Sequence, residues 1–501
     1  MRIEIRKIKE PQLEFGDNIA QPYIKDALLM GCGPFEANFY EGNKTVRLGL
    51  VALETETDTI LGWIESLHKS IISSESNAFR FREFLGTEKI LHARFEVGER
   101  HIREIKLNKY QECVSRFGRE RFEALMELYV ERIQSLFGDN SPDCILVQFP
   151  EDVATLRMAN NKLSEEERSF LERMQEADDD TQLELFEVTA EKKKLAEELL
   201  PQADELLFRN FHRALKAKCM KIDNSVPLQI VRKHTYLPDS TSQTPSTIAW
   251  NIGLGLYYKA GNIPWRLHEI SPDTCFVGVS FHYLKRRGGD MVYASVAQAF
   301  SSSGEGFALK GSTIPRDQSR NKRPYLKEDQ AAELMGDVLG HYETKNGNLP
   351  ARVVIHKTSR YQPEEEDGFR QGLLEKVPTC ELVWMVPSGF RLLRRGIDPP
   401  DRGTLCIVEG KESFLFTTGY VPKWNEYPGP HIPSPLEIGT SSPDNIIESA
   451  REILALTKMN WNSADGMGRH PITLSFARRV GMVMTELEED VKPNPLYKFY
   501  M

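Results

Sequence analysis

TCFVGVSFHY (274–283), MVYASVAQAF (291–300) and GFALKG (306–311) are three apolar runs separated by the glycine turns Gly288-Gly289 and Gly304-Glu305-Gly306. Runs of this length, rich in Val, Phe, Tyr and Ala and joined through glycine, predict an antiparallel meander of three strands. The pattern then changes to a helix (AAELMGDVLGHYE, 331–343), a strand (RVVIHKTS, 352–359), a helix (EEEDGFRQGLLE, 364–375) and a strand (CELVWMVPS, 380–388). Alternation of that kind predicts a parallel half-sheet. Three antiparallel strands leading into β-α-β is the order of a ribonuclease-H-like fold.

Toward the N-terminus, STIAWNIGLGLYYKAGNIPW (246–265) predicts a helix from near Thr247 to Gly261, stopped by Pro264 just beyond. A polar Ser/Thr/Pro loop at 238–247 precedes it and marks a domain boundary. VPLQIV (226–231) predicts a strand, and a helix from Ala203 places Leu207, Phe211 and Leu215 on its buried stripe. In residues 1–160 short β-like runs (VRLGLVALE from Val46, CILVQF from Cys144) alternate with helical ones. In RFEALMELYVERIQSLF, from Arg121, Leu125, Met126, Leu128, Tyr129, Ile133 and Leu136 form one apolar stripe. The expected fold class is therefore α/β. A first domain covers 1–245, with an acidic helical insertion at about 160–205, and a second covers 246–501. The length of 501 residues suits two or three domains of roughly 100–200 each.

Charge conceals an asymmetry. The net charge is −9, yet between Ser164 and Glu205 there are 15 acids and 5 bases, so the rest of the chain carries about +1. An acidic average therefore does not exclude a basic groove. The segment opens on Ser164-Glu-Glu-Glu167, a capping-box signal, and reads as solvated charged helices or a partner-docking arm. Seven scattered cysteines (32, 113, 144, 219, 275, 380 and 406) form no C-x-x-C pair, which predicts reduced thiols rather than a disulfide framework or a zinc site. With no apolar signal segment and no run near 18 apolar residues, the expected location is cytoplasmic.

Most catalytic motifs are excluded. Gly253-Leu-Gly255 lacks the Gly-Lys-Ser/Thr of a phosphate loop and the third glycine of a dinucleotide fingerprint, and it lies in a predicted helix. No Gly-x-Ser-x-Gly elbow is present, and Cys219 reads as a buried helix residue. Two-metal phosphodiester chemistry needs acids converging at strand ends, but CFVGVSFHY contains none and RVVIHKTS presents His356, Lys357 and Thr358 instead. What remains is anion binding. His212 and Lys216 are four apart on one helix, Gln229 lies on a strand and Lys259 closes a later helix, a set suited to a terminal phosphate. The basic clusters Lys285–Arg287, Arg316–Arg323 and Arg391–Arg395 could follow a nucleic-acid backbone or be surface loops.

The blocks WNIGLGLYYKAGNIPW (250–265), CFVGVSF (275–281), FRLLRRGIDPPDRGT (390–404), LFTTGYVPKWNEYPGPHIPSPLEI (415–438), LALTKMNWN (454–462) and PITLSFARRVG (471–481) resemble the PIWI domain of prokaryotic Argonautes. HRALKAKC and VPLQ (within 212–229) resemble the phosphate motif of the family's MID domain. The resemblance implies a Rossmann-like MID domain plus a ribonuclease-H-like PIWI domain, without room for N-terminal and PAZ domains: a short prokaryotic Argonaute. It assigns His212, Lys216, Gln229 and Lys259 to the five-prime phosphate of a small guide RNA. It also implies Met501 as a metal ligand through its terminal carboxylate, holding a structural Mg2+ at that phosphate. The family's slicer acids fall at Ser280, near Glu305, at Thr358 and at Arg478, three of them replaced, so no nuclease activity is expected. The implied role is sensing single-stranded target DNA from plasmids or phage. The implied partner, in a heterodimer with higher assembly on target binding, is an APAZ-containing effector with a TIR, sirtuin-like or nuclease domain. NAD depletion and abortive-infection-type immunity would follow. Two rivals are a metal-dependent guided nuclease using other acids, and a structural subunit that binds no nucleic acid.

Overall fold

CILVQF becomes the strand Cys144–Phe149, with all six residues buried. Burial on both faces is the mark of an interior strand in a parallel sheet, and that is its place. Leu228–Arg232 and Lys44–Leu53 flank it in parallel, and Ala93–Glu96 and Ile102–Ile105 both pair in parallel with Lys44–Leu53. The amphipathic run from Arg121 forms the helix Gly118–Gln134, which buries Phe122, Leu125, Met126, Tyr129 and Ile133 against Val51, Ile145 and Val147 of this sheet. The protein is described from a computed structural model covering residues 2–138, 140–159, 208–239, 242–271, 273–285, 291–301, 306–315, 319–320, 323–373, 376–396, 398–408, 412–429, 432–484, 486–487 and 494–501.

The second half is built on a nine-stranded sheet. Thr274–Lys285, Met291–Ser301 and Gly306–Pro315 form the antiparallel meander. Arg352–Lys357 joins Thr274–Lys285 in parallel, and Thr379–Pro387 joins Arg352–Lys357 in parallel. The order read from the sequence is thus the order in the fold. Beyond it, Leu436–Thr440, Glu412–Leu415 and Thr404–Val408 extend the sheet antiparallel. The helix Ile472–Met484 crosses the sheet against Thr274–Lys285. Gly278 permits the close approach, because a Cβ there would run into the carbonyl group of Thr473.

The helix Pro245–Lys259 joins the halves, starting with proline in its first turn, where the missing N–H costs nothing, and followed by Gly261 at φ +93°. Trp250, Leu254 and Tyr257 from this helix share one core with Leu48 and Leu50 of the small sheet and Phe276 and Val354 of the large one.

Two features depart from the local sequence pattern. The helix expected from Ala203 begins at Phe211: Phe208–Asn210 is a strand paired antiparallel with Arg157–Ala159, and Asn210 caps the helix by accepting the main-chain N–H of Arg213 at 3.2 Å. Asn at that position satisfies an orphan N–H that a helix continuing from 203 would not have. The boundary expected at 245 is crossed by the chain's beginning. Ile3–Lys7 pairs antiparallel with Thr404–Val408 at the edge of the large sheet, and Leu13–Glu14 pairs with Arg266–Leu267. The cause is partly ionic: Glu10 receives Arg402 Nε at 3.1 Å and Lys458 Nζ at 2.7 Å. Burial alone would raise the Glu10 pKa, but the two cations outweigh it and hold the carboxyl at about 2. The expected acidic insertion at about 160–205 lies outside the described residues, as does the 302–305 turn. Among the described residues, no helix is long and apolar enough to cross a membrane, and every cysteine is free.

Candidate phosphate-binding site

The helix Phe211–Cys219, the strand Leu228–Arg232 and the end of the helix Pro245–Lys259 converge where the small sheet meets the last residues of the chain. Lys216 and Lys259 are 6% and 1% exposed. Lys259 Nζ donates to the main-chain oxygen of Leu228 at 2.9 Å and to Gln229 Oε1 at 2.7 Å. Lys216 Nζ donates to the main-chain oxygen of Met501. His212, one turn before Lys216, sits edge-on to Phe149, with its Nε2 buried and no hydrogen-bond partner among the described residues. The structure thus brings His212, Lys216, Gln229, Lys259 and Met501 together.

The electrostatics are those of an anion site. Burial pushes the Lys216 pKa well below the ordinary lysine value, and Lys259 and Arg479 add to the effect. Burial pushes Lys259 down to about 8, with Arg479 again contributing and the Cys144 thiol opposing. His212 is driven well below its usual value by burial first and then by Lys216, Arg232, Arg213 and Lys259. The side chains that shift the two lysines are therefore other cations and a thiol, and Lys216 also meets an oxygen of the Met501 carboxyl group. Buried cations that outnumber their counter-charges are costly. A phosphate dianion would supply the missing charge through charge-assisted hydrogen bonds and return both ammonium groups toward ordinary pKa values.

Arg479 was missed by the sequence reading, which took Arg478 from PITLSFARRVG as the notable residue. Consecutive helix positions point about 100° apart, so an Arg-Arg pair must address two directions. Arg478 is exposed, while Arg479 is half-buried, lies 5.2 Å from the Phe476 ring and acts on both lysines. A second overlooked residue is Asn462. A Cβ on Gly255 would lie 3.2 Å from Asn462 Oδ1 and 4.0 Å from Gln229 Oε1, so the glycine leaves both amides room beside Lys259.

A divalent ion at this site would compete with ammonium groups for the same oxygens. The oxygens of Gln229 and Met501 already accept from ammonium groups, and an ion there would face Lys216, Lys259 and Arg479. Cations in that number can balance a phosphate by themselves.

The positions where slicer acids were expected lie elsewhere on the large sheet. Val279 pairs with Lys357 in parallel register, so Ser280 and Thr358 come next on adjacent chains. Thr358 is exposed just past its strand, and Arg478 is exposed on the crossing helix. Glu305 lies outside the described residues. No group of three or more His, Cys, Asp or Glu positioned to hold a metal occurs among the described residues. Of the basic clusters, Arg391–Arg395 is described: Arg394 is committed to Asp398 and Asp401, and Arg391 to main-chain oxygens.

A parallel α/β domain sharing its core with a ribonuclease-H-like sheet defines the class as an Argonaute-like fold of MID and PIWI type. Several solved structures that resemble the chain are of that kind. They include Clostridium butyricum Argonaute bound to a guide DNA and a 19-mer target DNA (TM-score 0.61, 16% identity, covering 99% of this chain and 54% of that one). Also similar are A. aeolicus Argonaute (TM-score 0.55, 14% identity, 98% and 55%) and Drosophila Piwi (TM-score 0.57, 14% identity, 99% and 56%). The chain spans about half the length of these proteins. No protein-family model and no curated protein matches the sequence.

Proposed function

We propose that this protein is a guide-binding sensor of the short-Argonaute kind. It holds a small RNA guide by its five-prime phosphate, pairs it with single-stranded target DNA and passes the bound state to a partner without cutting. The observation that carries this reading is the cation cluster of buried Lys216 and Lys259 with half-buried Arg479, which has His212 and Gln229 beside it and other cations and a thiol as the side chains that shift the lysines. A site of that composition recognises a terminal phosphate and not a base. Sequence recognition is then left to base pairing, as in other guided systems.

The absence of cutting rests on Ser280, Thr358 and Arg478, none of which can bring a carboxylate to a metal pair. The partner proposed is an APAZ-containing effector with a TIR, sirtuin-like or nuclease domain, and its activity, NAD depletion being the leading one, would produce immunity against plasmids or phage. For pairing to activate it, the duplex-bound state must contact the partner differently from the empty state.

The test is co-expression with the neighbouring gene and recovery of bound nucleic acid from wild type and the Lys216→Ala/Lys259→Ala variant, with five-prime labelling before and after phosphatase. Short five-prime-phosphorylated RNA that is lost in the variant is the expected result. Equal RNA in both overturns the phosphate site, and no RNA in either leaves a structural subunit.

A further inference from the structure

Two of the helices that contribute to the phosphate site lie against different sheets, and something must set one against the other. His212 and Lys216 ride on Phe211–Cys219, beside the small sheet, while Arg479 rides on Ile472–Met484, which crosses the large one. Their facing sides share a cluster of Ala217, Met220, Val480, Val483 and Met484. Small and flexible apolar contacts of this kind permit sliding, because they carry no directional bond.

The directional bond comes from Glu486, two residues past the end of Ile472–Met484. Its side chain is 3% exposed. One carboxylate oxygen accepts the main-chain N–H of Asn210 at 2.9 Å, and the other accepts Arg209 Nε at 3.4 Å. Asn210 is the residue whose side chain caps Phe211–Cys219. Arg209 is braced from its far side by Glu123 at 2.8 Å. The carboxylate therefore grips the first peptide of the phosphate-site helix, two residues before His212 and six before Lys216.

We infer that Glu486 is a positioning residue: it sets the helix bearing His212 and Lys216 in register with the helix bearing Arg479, so that all three reach the same phosphate. This rests on the phosphate-site reading above. The need for it is geometric, since hydrogen bonds weaken steeply as distance and angle depart from ideal and a shift near 1 Å at a positioning element is felt strongly at the site it serves. What matters is the reach of the acceptor rather than its charge. Burial pushes the Glu486 pKa up to about 7, against the opposing pull of the Asn210 N–H, Arg209 and Arg213. The oxygen facing Asn210 can accept in either protonation state.

Two substitutions separate reach from charge. Glu486→Gln keeps the length and an acceptor oxygen but removes the charge. Glu486→Asp keeps the charge but draws the oxygens back by one methylene. The measurement is the ratio of dissociation constants for one RNA oligonucleotide with a five-prime hydroxyl or a five-prime phosphate, on the full chain with its partner. E486Q is expected to stay within about twofold of the wild-type ratio and E486D to lose about fivefold or more, with hydroxyl binding unchanged in both. The opposite order, an unchanged ratio in both variants, or equal losses for the two oligonucleotides would each overturn the inference. The wild-type arm separately tests the site itself: absence of any phosphate preference there refutes the phosphate-site reading, and the role of Glu486 with it.

Discussion

Lys259 makes the most exposed prediction of the site chemistry, because burial holds it at about pH 8 in the free protein. A bound phosphate favours its charged form, so the pKa rises on binding and the complex takes up a proton. Affinity for a phosphorylated five-prime end is accordingly full well below pH 8 and declines as the pH rises through 8 to 9. An oligonucleotide ending in a hydroxyl shows no such slope. Titration calorimetry in buffers of different ionisation enthalpy reads both the slope and the proton, and a flat profile for the phosphorylated end would remove Lys259 from the site. Lys259→Ala should weaken that end by about 10- to 100-fold, the range for a hydrogen bond to a charged group. That Lys216 and Lys259 lie near each other was suggested by the resemblance of their flanking blocks, since helical spacing alone links only His212 to Lys216. Arg479 was not: nothing in an Arg-Arg pair says which member turns inward until the crossing helix is seated.

At the scale of elements, two joints carry the second half. Gly278 lets Ile472–Met484 approach the central strand, so Gly278→Ala pushes that helix away and should cost about 1–3 kcal/mol, the usual penalty of overpacking. A thermal midpoint unchanged from wild type would show that the helix can shift freely. The second joint is the buried pair of Lys357 and Glu365, 2% and 0% exposed. Glu365 also accepts the main-chain N–H groups of Leu326 at 3.0 Å and Gln362 at 2.9 Å, tying the strand Arg352–Lys357 to the start of the helix Pro363–Leu373. Glu365→Ala takes the carboxylate away from a buried ammonium and should cost about 3–5 kcal/mol, and Lys357→Met in the same chain should return part of it. Denaturant unfolding of the single and double variants decides this; a single-variant loss below about 1 kcal/mol would mean the pair is not a joint. The meander and the β-α-β order were readable because apolar runs and glycine turns are local signals. The helix start at Phe211 was not readable, since a strand of three residues leaves too short a pattern to interrupt a helical stripe.

For the whole molecule, the guide-bound protein should leave a complementary DNA target intact in Mg2+ or Mn2+, and the appearance of a cut product would restore the guided-nuclease alternative. The least legible feature at this scale is the opening MRIEIRK. Its alternating residues are all exposed in the strand Ile3–Lys7, and its partner lies some 400 positions away, so no local pattern announces the pairing. That strand and Glu10 bind the first residues of the chain to Thr404–Val408, Arg402 and Lys458, across the point where a domain boundary would be drawn. Anyone dividing the gene at codon 245 would therefore obtain two pieces, each missing something the other holds. One would end with an orphaned strand and an uncompensated carboxylate, the other with a bare sheet edge and two buried cations. Expressed separately they should aggregate; expressed in the same cell they should find each other and purify as a nicked but working whole.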